Sequence, residues 1–228
     1  KGQVKDQHEI KRADIDFRLT AANGLNMFVR NGALHYQWMT IPAGSNTAQT
    51  YRLDVSLIGA NPEAQMVTED PVPYQEYYYY SDAPHLKAQS WEKVIYKEIY
   101  PNIDWILYTR NGILEYDFVV RPGGKVSDIR LQYNGAGRLQ LNQNGSLTAY
   151  TPMGTVTENA PVSFIAGGKK IDSRFLLNDN MLSFDVAAYE GTLVIDPVLE
   201  WATYYGGTGM DYGRCVAVDN SGAAYMTG

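Results

Sequence analysis

A single cysteine, Cys215, rules out an internal disulfide and a cysteine-based zinc cluster, while disulfide-free secreted proteins are common enough to leave the compartment open. The only histidines are His8, His35 and His85, and none stands in a metal-type i, i+2 or i, i+4 spacing with another histidine or with cysteine. There is no G-x-S-x-G nucleophile elbow and no G-x-G-x-x-G opening a helix after a strand. The run Gly206, Gly207, Thr208, Gly209 lacks the lysine of a phosphate loop and reads as a turn. Long apolar stretches are missing too. Runs such as Trp105 to Leu107 and Leu193 to Ile195 fall far short of the roughly 20 residues of a membrane helix. The 19 lysines and arginines are scattered in a chain of net charge −6, which gives no electrostatic footprint for nucleic acid. No metal and no cofactor is implied, and no membrane span is expected in this segment.

What is present is β pattern. With 228 residues, 45% of them hydrophobic, the chain can bury a core as one large or two ordinary domains. Alternation at Ile15, Phe17 and Leu19, at Leu53, Val55 and Leu57, at Ile129, Leu131 and Tyr133, at Leu139 and Leu141, and at Leu182, Phe184 and Val186 predicts half-buried strands. Five Asn-Gly pairs, beginning at Asn23, Asn31, Asn111, Asn134 and Asn144, supply tight-turn chemistry. The clearest hairpin runs from Ile103 to Thr109, through Arg110, Asn111 and Gly112, into Ile113 to Val120. Only Pro84 to Lys93 offers a helical turn or two. With 18 tyrosines and 4 tryptophans, β propensity is high. The expected architecture is all-β: antiparallel, hairpin-rich, sandwich-like sheets over residues 1–195, then a propeller-blade-like strand segment over residues 196–228. The boundary is set at Asp196-Pro197, where composition turns to glycine and tyrosine.

Two stretches carry a family resemblance: YPNIDWILYTRNGILEYDFVVRPGGKVSDIRLQYNGAGRLQLNQNGSL, Tyr100 to Leu147, and LVIDPVLEWATYYGGTGMDYGRCVAVDNSGAAYMTG, Leu193 to Gly228. Together they resemble the N-terminal domain and first repeat of bacterial SBBP (β-propeller repeat) proteins. Lys1-Gly2-Gln3 and Leu25 to Trp38 fit the way that domain begins. The resemblance implies a large secreted or cell-surface protein whose N-terminal domain has no assigned activity. One repeat-like unit cannot close a propeller. The unit after Asp196 is therefore expected to be a truncated first blade, whose strand edges pair with the preceding domain or with a second copy of the chain, giving a homodimer. The start at Lys1 without an initiator methionine and the stop at Gly228 inside a strand-like run are what a fragment would show.

The candidate sites are few. Glu115 and Asp117, two apart on one strand, share a face, and glycosidase chemistry needs two carboxyls at roughly 5 to 9 Å across a cleft. Against that stands a solvated ion-pair face, the carboxylates opposed to Leu114 and Phe118 and paired with Arg110, Arg121 or Arg130. Asp219, Asn220, Ser221 and Gly222 resemble part of a calcium loop without its closing glutamate, and read as a turn, as do Asn178, Asp179 and Asn180. The least ordinary feature is the tyrosine run Tyr74, Tyr77, Tyr78, Tyr79 and Tyr80. On a strand its alternate rings cover both faces, and exposed aromatics stack on sugars or supply interface area. The opposing structural reading is one ring face in the core and the other under a neighbouring loop. Tyr77, Tyr78, Tyr79, Tyr80 and Trp91 are the candidate ligand-binding residues; no catalytic residue is assigned. The expected function is a non-catalytic extracellular or cell-surface module supporting adhesion or surface recognition. Its partners are the rest of its own propeller and a surface polysaccharide or protein. The alternatives are a carbohydrate-binding domain using the tyrosines or Trp38, Trp91 and Trp105, and a carboxylate-dependent polysaccharide-acting enzyme.

Overall fold

The computed structural model describes residues 10, 12–20, 25–41, 46–80, 83–110, 113–165, 167–197, 215–218 and 224–227. At 20, 74, 76, 78–80, 83–86, 113, 215–218 and 224–227 the description is of the backbone. The first strands are β1 (Phe17–Thr20), β2 (Leu25–Arg30), β3 (Ala33–Thr40) and β4 (Gln49–Leu57). Two long strands, β5 (Gln65–Tyr80) and β6 (Ala83–Tyr100), precede the expected hairpin, β7 (Ile103–Arg110) and β8 (Ile113–Val120). Shorter strands follow: β9 (Leu131–Asn134), β10 (Arg138–Leu141), β11 (Leu147–Thr151), β12 (Gly154–Glu158), β13 (Val162–Ile165) and β14 (Lys170–Ile171). The series ends with β15 (Ser173–Asn178), β16 (Met181–Val186), β17 (Leu193–Asp196), β18 (Cys215–Val218) and β19 (Ala224–Thr227).

These strands make two seven-stranded sheets, ordered β1-β2-β3-β4-β9-β16-β15 and β14-β13-β17-β8-β7-β6-β5, and a three-stranded sheet β10-β11-β12. Every strand pairing described is antiparallel, so the architecture is all-β and sandwich-like, as the alternation predicts. β18 and β19 pair with each other and, among the described residues, join neither large sheet. Among the described residues the only helix is a single 3-10 turn, Val126–Asp128, and none is long and apolar enough to cross a membrane. The helical turn expected at Pro84 to Lys93 is instead part of β6. Pairing with β5 gives its backbone groups partners along most of that stretch, which a short, weakly amphipathic helix could not offer.

The core follows from strand parity. Leu34, Tyr36 and Trp38 of β3 meet Val55, Leu53 and Tyr51 of β4 across the register, and all but Tyr51 are buried. From the other sheet, Trp105, Tyr116 and Phe118 face the same interior. Phe118 crosses between layers to Phe184, ring centroids 6.0 Å apart and tilted 68°. The Tyr96 hydroxyl donates to Asp16 at 2.9 Å and the Tyr100 hydroxyl to the Ile58 carbonyl at 3.1 Å, so both layers are also tied by hydrogen bonds. Three turns fall where turn chemistry placed them: Asn31-Gly32 joins β2 to β3, Asn144-Gly145 lies between β10 and β11, and Asp179-Asn180 joins β15 to β16. Asn134-Gly135 makes no hairpin, because β9 pairs with β4 and β16 while β10 belongs to the three-stranded sheet.

Candidate functional site

Over Lys93 to Tyr96 and again at Tyr100, β6 is flanked by β7. Further out, from Pro71 opposite Trp91 to Tyr80 opposite Ala83, β5 and β6 pair only with each other. The result is a two-stranded ribbon about 30 Å long at 3.3 Å per residue. None of the described side chains from Asp70 to Tyr77 or from Lys87 to Glu92 is buried. Tyr77 pairs with Lys87, is 51% exposed, and has the Lys87 ammonium 5.3 Å from its ring centroid. Trp91 is half-buried, and the Gln89 amide donates to the Val72 carbonyl at 2.8 Å, holding the strands together at the ribbon's base. Tyr78, Tyr79 and Tyr80 occupy the end of β5; whether their rings point out or in lies outside the described residues. A register shift between Pro71 and Gln75 breaks the strict alternation expected of the run.

Trp38 and Trp105 are not stacking platforms. They are 8% and 3% exposed, because their strand parity sends both rings into the sandwich. His35 is also buried, its Nδ1 2.6 Å from Asp54 Oδ1, and burial pushes its pKa down. His8, the side chain of His85 and the turn expected at Asp219 to Gly222 lie outside the described residues. No group of three or more His, Cys, Asp or Glu side chains among the described residues could hold a metal ion.

The two carboxylates on β8 do not form the solvated face expected of them. Glu115 is 4% exposed and lies 3.5 Å from Arg110 Nε, while Arg121 pairs with Glu98 and Asp104. The reason is position: β8 is an inner strand between β7 and β17, so its outward side chains are walled by those of both neighbours. Ile195 faces Phe118, so the next step of the register sets Asp196 opposite Asp117. The Tyr108 hydroxyl donates to Asp117 Oδ1 at 3.1 Å. Burial first, then the Asp196 charge, lift the Asp117 pKa to about 7; burial and Glu115 raise that of Asp196. A carboxyl titrating near neutrality beside a phenol can hand over a proton.

Native Asp117 keeps its proton where the unfolded chain has lost it. Its contribution to stability is therefore complete below about pH 4 and disappears as pH rises through about 7. Asp117→Asn is expected to flatten the decline in melting temperature between about pH 4 and 7, by no more than about 1 kcal/mol after solvent screening. Parallel melting curves for both proteins across that range would remove the coupling.

A third cluster was not anticipated. Glu158, at the end of β12, is 1% exposed, and its carboxyl accepts from Tyr116 at 2.6 Å and from Tyr133. One partner comes from each large sheet and the acid from the small one, so this contact joins all three. Burial pushes the Glu158 pKa up, and the two phenols only partly offset it. The sequence held the clue: Val156 and Glu158 share strand parity, which puts an acid on the core-facing row. The same parity pairs Val194 with Asp196 on the outer row of β17.

A family model described as Domain of unknown function (DUF7948) matches residues 1–198. No curated protein and no solved structure matches the chain. Since the match takes in every strand of both seven-stranded sheets and of the three-stranded sheet, the chain belongs to the DUF7948 family.

Proposed function

We propose that this domain is a non-catalytic recognition module of a secreted or cell-surface protein, supporting adhesion, with the β5–β6 ribbon as its contact arm. The observation that carries this reading is the ribbon's self-contained pairing, with no buried side chain among those described from Asp70 to Tyr77 and from Lys87 to Glu92. Tyrosine on such an arm offers a large, stiff contact area with a polar tip. Pro71 and Pro73 on the sheet's edge strand remove backbone donors, which disfavours strand addition and the homodimer it would give; contact then falls to side chains. The resemblance of Tyr100 to Leu147 and Leu193 to Gly228 to SBBP proteins supports the extracytoplasmic address and a following propeller as neighbour.

Replacing Pro71 to Trp91 by a short turn is expected to cut retention on cells displaying the native surface at least about tenfold, and Tyr77→Ser about fivefold. Undiminished retention of the shortened chain would remove the ribbon's role. Resistance of the intact protein to protease added to whole cells would remove the address.

A second reading, a carboxylate-dependent polysaccharide-acting enzyme, draws on the pKa of about 7 at Asp117 beside Asp196 and Tyr108. It requires release of reducing ends from a polysaccharide by the native chain and none by Asp117→Asn.

A further inference from the structure

The far end of the β3–β4 pair and the turn between β11 and β12 enclose an open cleft of about 680 Å³, lined by Thr40, Gln49, Thr50, Tyr51, Pro152 and Met153. This lies within the roughly 300–1,000 Å³ of ordinary small-molecule sites. Thr40 and Gln49 face each other across the register and continue the rows of Trp38 and Tyr51 beyond the covered core.

The walls are held in place. The Tyr51 hydroxyl donates to the Gly135 carbonyl at 2.9 Å, which fixes the ring's orientation. On the other side, the Thr151 hydroxyl donates to the Gly154 carbonyl at 2.7 Å and accepts from the Met153 amide at 3.3 Å, locking the turn that presents Pro152 and Met153. Behind that turn the Trp38 indole packs so closely on Gly154 that a Cβ there would lie 3.0 Å from its Nε1.

The lining is chemically selective. The Thr40 hydroxyl and the Gln49 primary amide, on the row of Trp38 and Tyr51, donate and accept within one small site, the pattern that matches a ligand dense in hydroxyl groups. One phenol ring, a proline and a methionine supply apolar surface for the C–H face of a sugar ring. Among the described residues, no carboxylate, ammonium or guanidinium lines the cleft, so the described lining does not favour an ion.

We propose that this cleft binds an uncharged saccharide of one or two rings, stacked on Tyr51 and hydrogen-bonded by Gln49 and Thr40. The site is separate from the ribbon, since it is built from the first sheet and the three-stranded sheet, and it stands whether or not the ribbon is an arm.

The test is an amide-resolved NMR titration of the full chain with four uncharged probes: cellobiose, maltose, lactose and mannobiose. Saturable shifts at Thr40, Gln49 to Tyr51 and Met153 are expected for at least one probe. An open neutral cleft on so few ligand atoms gives a Kd on the order of 1 mM. Gln49→Ala, at an exposed position that leaves the core intact, should weaken binding about fivefold, and Tyr51→Ala should abolish it. Should Tyr51→Ala fail to fold, Gln49→Ala together with Thr40→Val decides the matter. No saturable shift with any probe at tens of millimolar overturns the site. So do shifts confined to Tyr77 and Lys87, which would place sugar binding on the ribbon instead, and so does binding untouched by the Gln49 and Thr40 changes.

Discussion

Glu158→Ala is expected to cost about 3–5 kcal/mol, seen as a fall of roughly 10 °C in melting temperature. The reason is what the change strands. Tyr116 and Tyr133 are both about 2% exposed and direct their hydroxyls at this one carboxyl, so its removal leaves two buried donors without the acceptor they share. Each such donor costs about 1–3 kcal/mol, and the cavity adds to that. Because the three groups come from three different sheets, the damage should reach beyond β12. Hydrogen exchange should accelerate in β8 and β9 as well as in the three-stranded sheet. Acceleration confined to β10–β12 would show that the contact does not tie the layers.

The pH dependence of a second variant discriminates further. Burial raises the Glu158 pKa, so the native state keeps its proton where the unfolded chain has already given it up. The wild type is accordingly most favoured below the ordinary range of a glutamate and loses ground as pH rises toward the folded value. Glu158→Gln fills the same space and retains one acceptor oxygen, but it cannot charge. It should be the less stable protein at pH 4, since an NH2 now meets a phenol that wants an acceptor, and the gap should close as pH rises. A gap that widens with pH would mean that Tyr116 and Tyr133 hold a carboxylate anion in the core, against the penalty of burying it.

Strand parity made most of this fold legible. Residues alternating at Leu53, Val55 and Leu57 or at Leu182, Phe184 and Val186 announced β4 and β16, because a sheet with one face in a core imposes period two on its sequence. What parity could not supply is which strands meet. β9 lies between β4 and β16, partners far away in sequence, and no local pattern encodes that neighbourhood. The sites suffered accordingly. Glu115 and Asp117 were visible as a pair, but their burial depends on β17 lying alongside β8, and Asp196 enters only through that contact. The length of the β5–β6 ribbon was not legible, because prolines such as Pro71 and Pro73 are locally unfavourable in a strand interior while β5 runs through both. The tryptophans misled for the opposite reason: aromatic content signals contact area, and parity alone sends Trp38 and Trp105 inward.

Gly135→Ala carries the other large expected effect, about 2–4 kcal/mol and roughly 5–15 °C in melting temperature. Gly135 has φ of +95°, and a Cβ built on it would lie 2.4 Å from the Arg52 carbonyl oxygen and 3.5 Å from the Leu53 Cα. Both obstacles are backbone of β4, next to the fully buried Leu53 and next to the point where the β4–β9 ladder ends at Asp54 and Asn134, so they cannot swing aside as a side chain would. Gly167→Ala provides the control: its φ is +93° but nothing lies within 4 Å of the added atom, so it reports the backbone strain alone, about 1 kcal/mol. The difference between the two variants isolates the steric part. A Gly135 variant no worse than the Gly167 variant would show that β4 and the Gly135 bend are not in close contact. The comparison also reaches the cleft, because the Gly135 carbonyl accepts the Tyr51 hydroxyl. If the Gly135 bend and β4 touch as described, Gly135→Ala should disturb the Tyr51 ring and weaken saccharide binding even below its melting temperature, while Gly167→Ala leaves that binding unchanged.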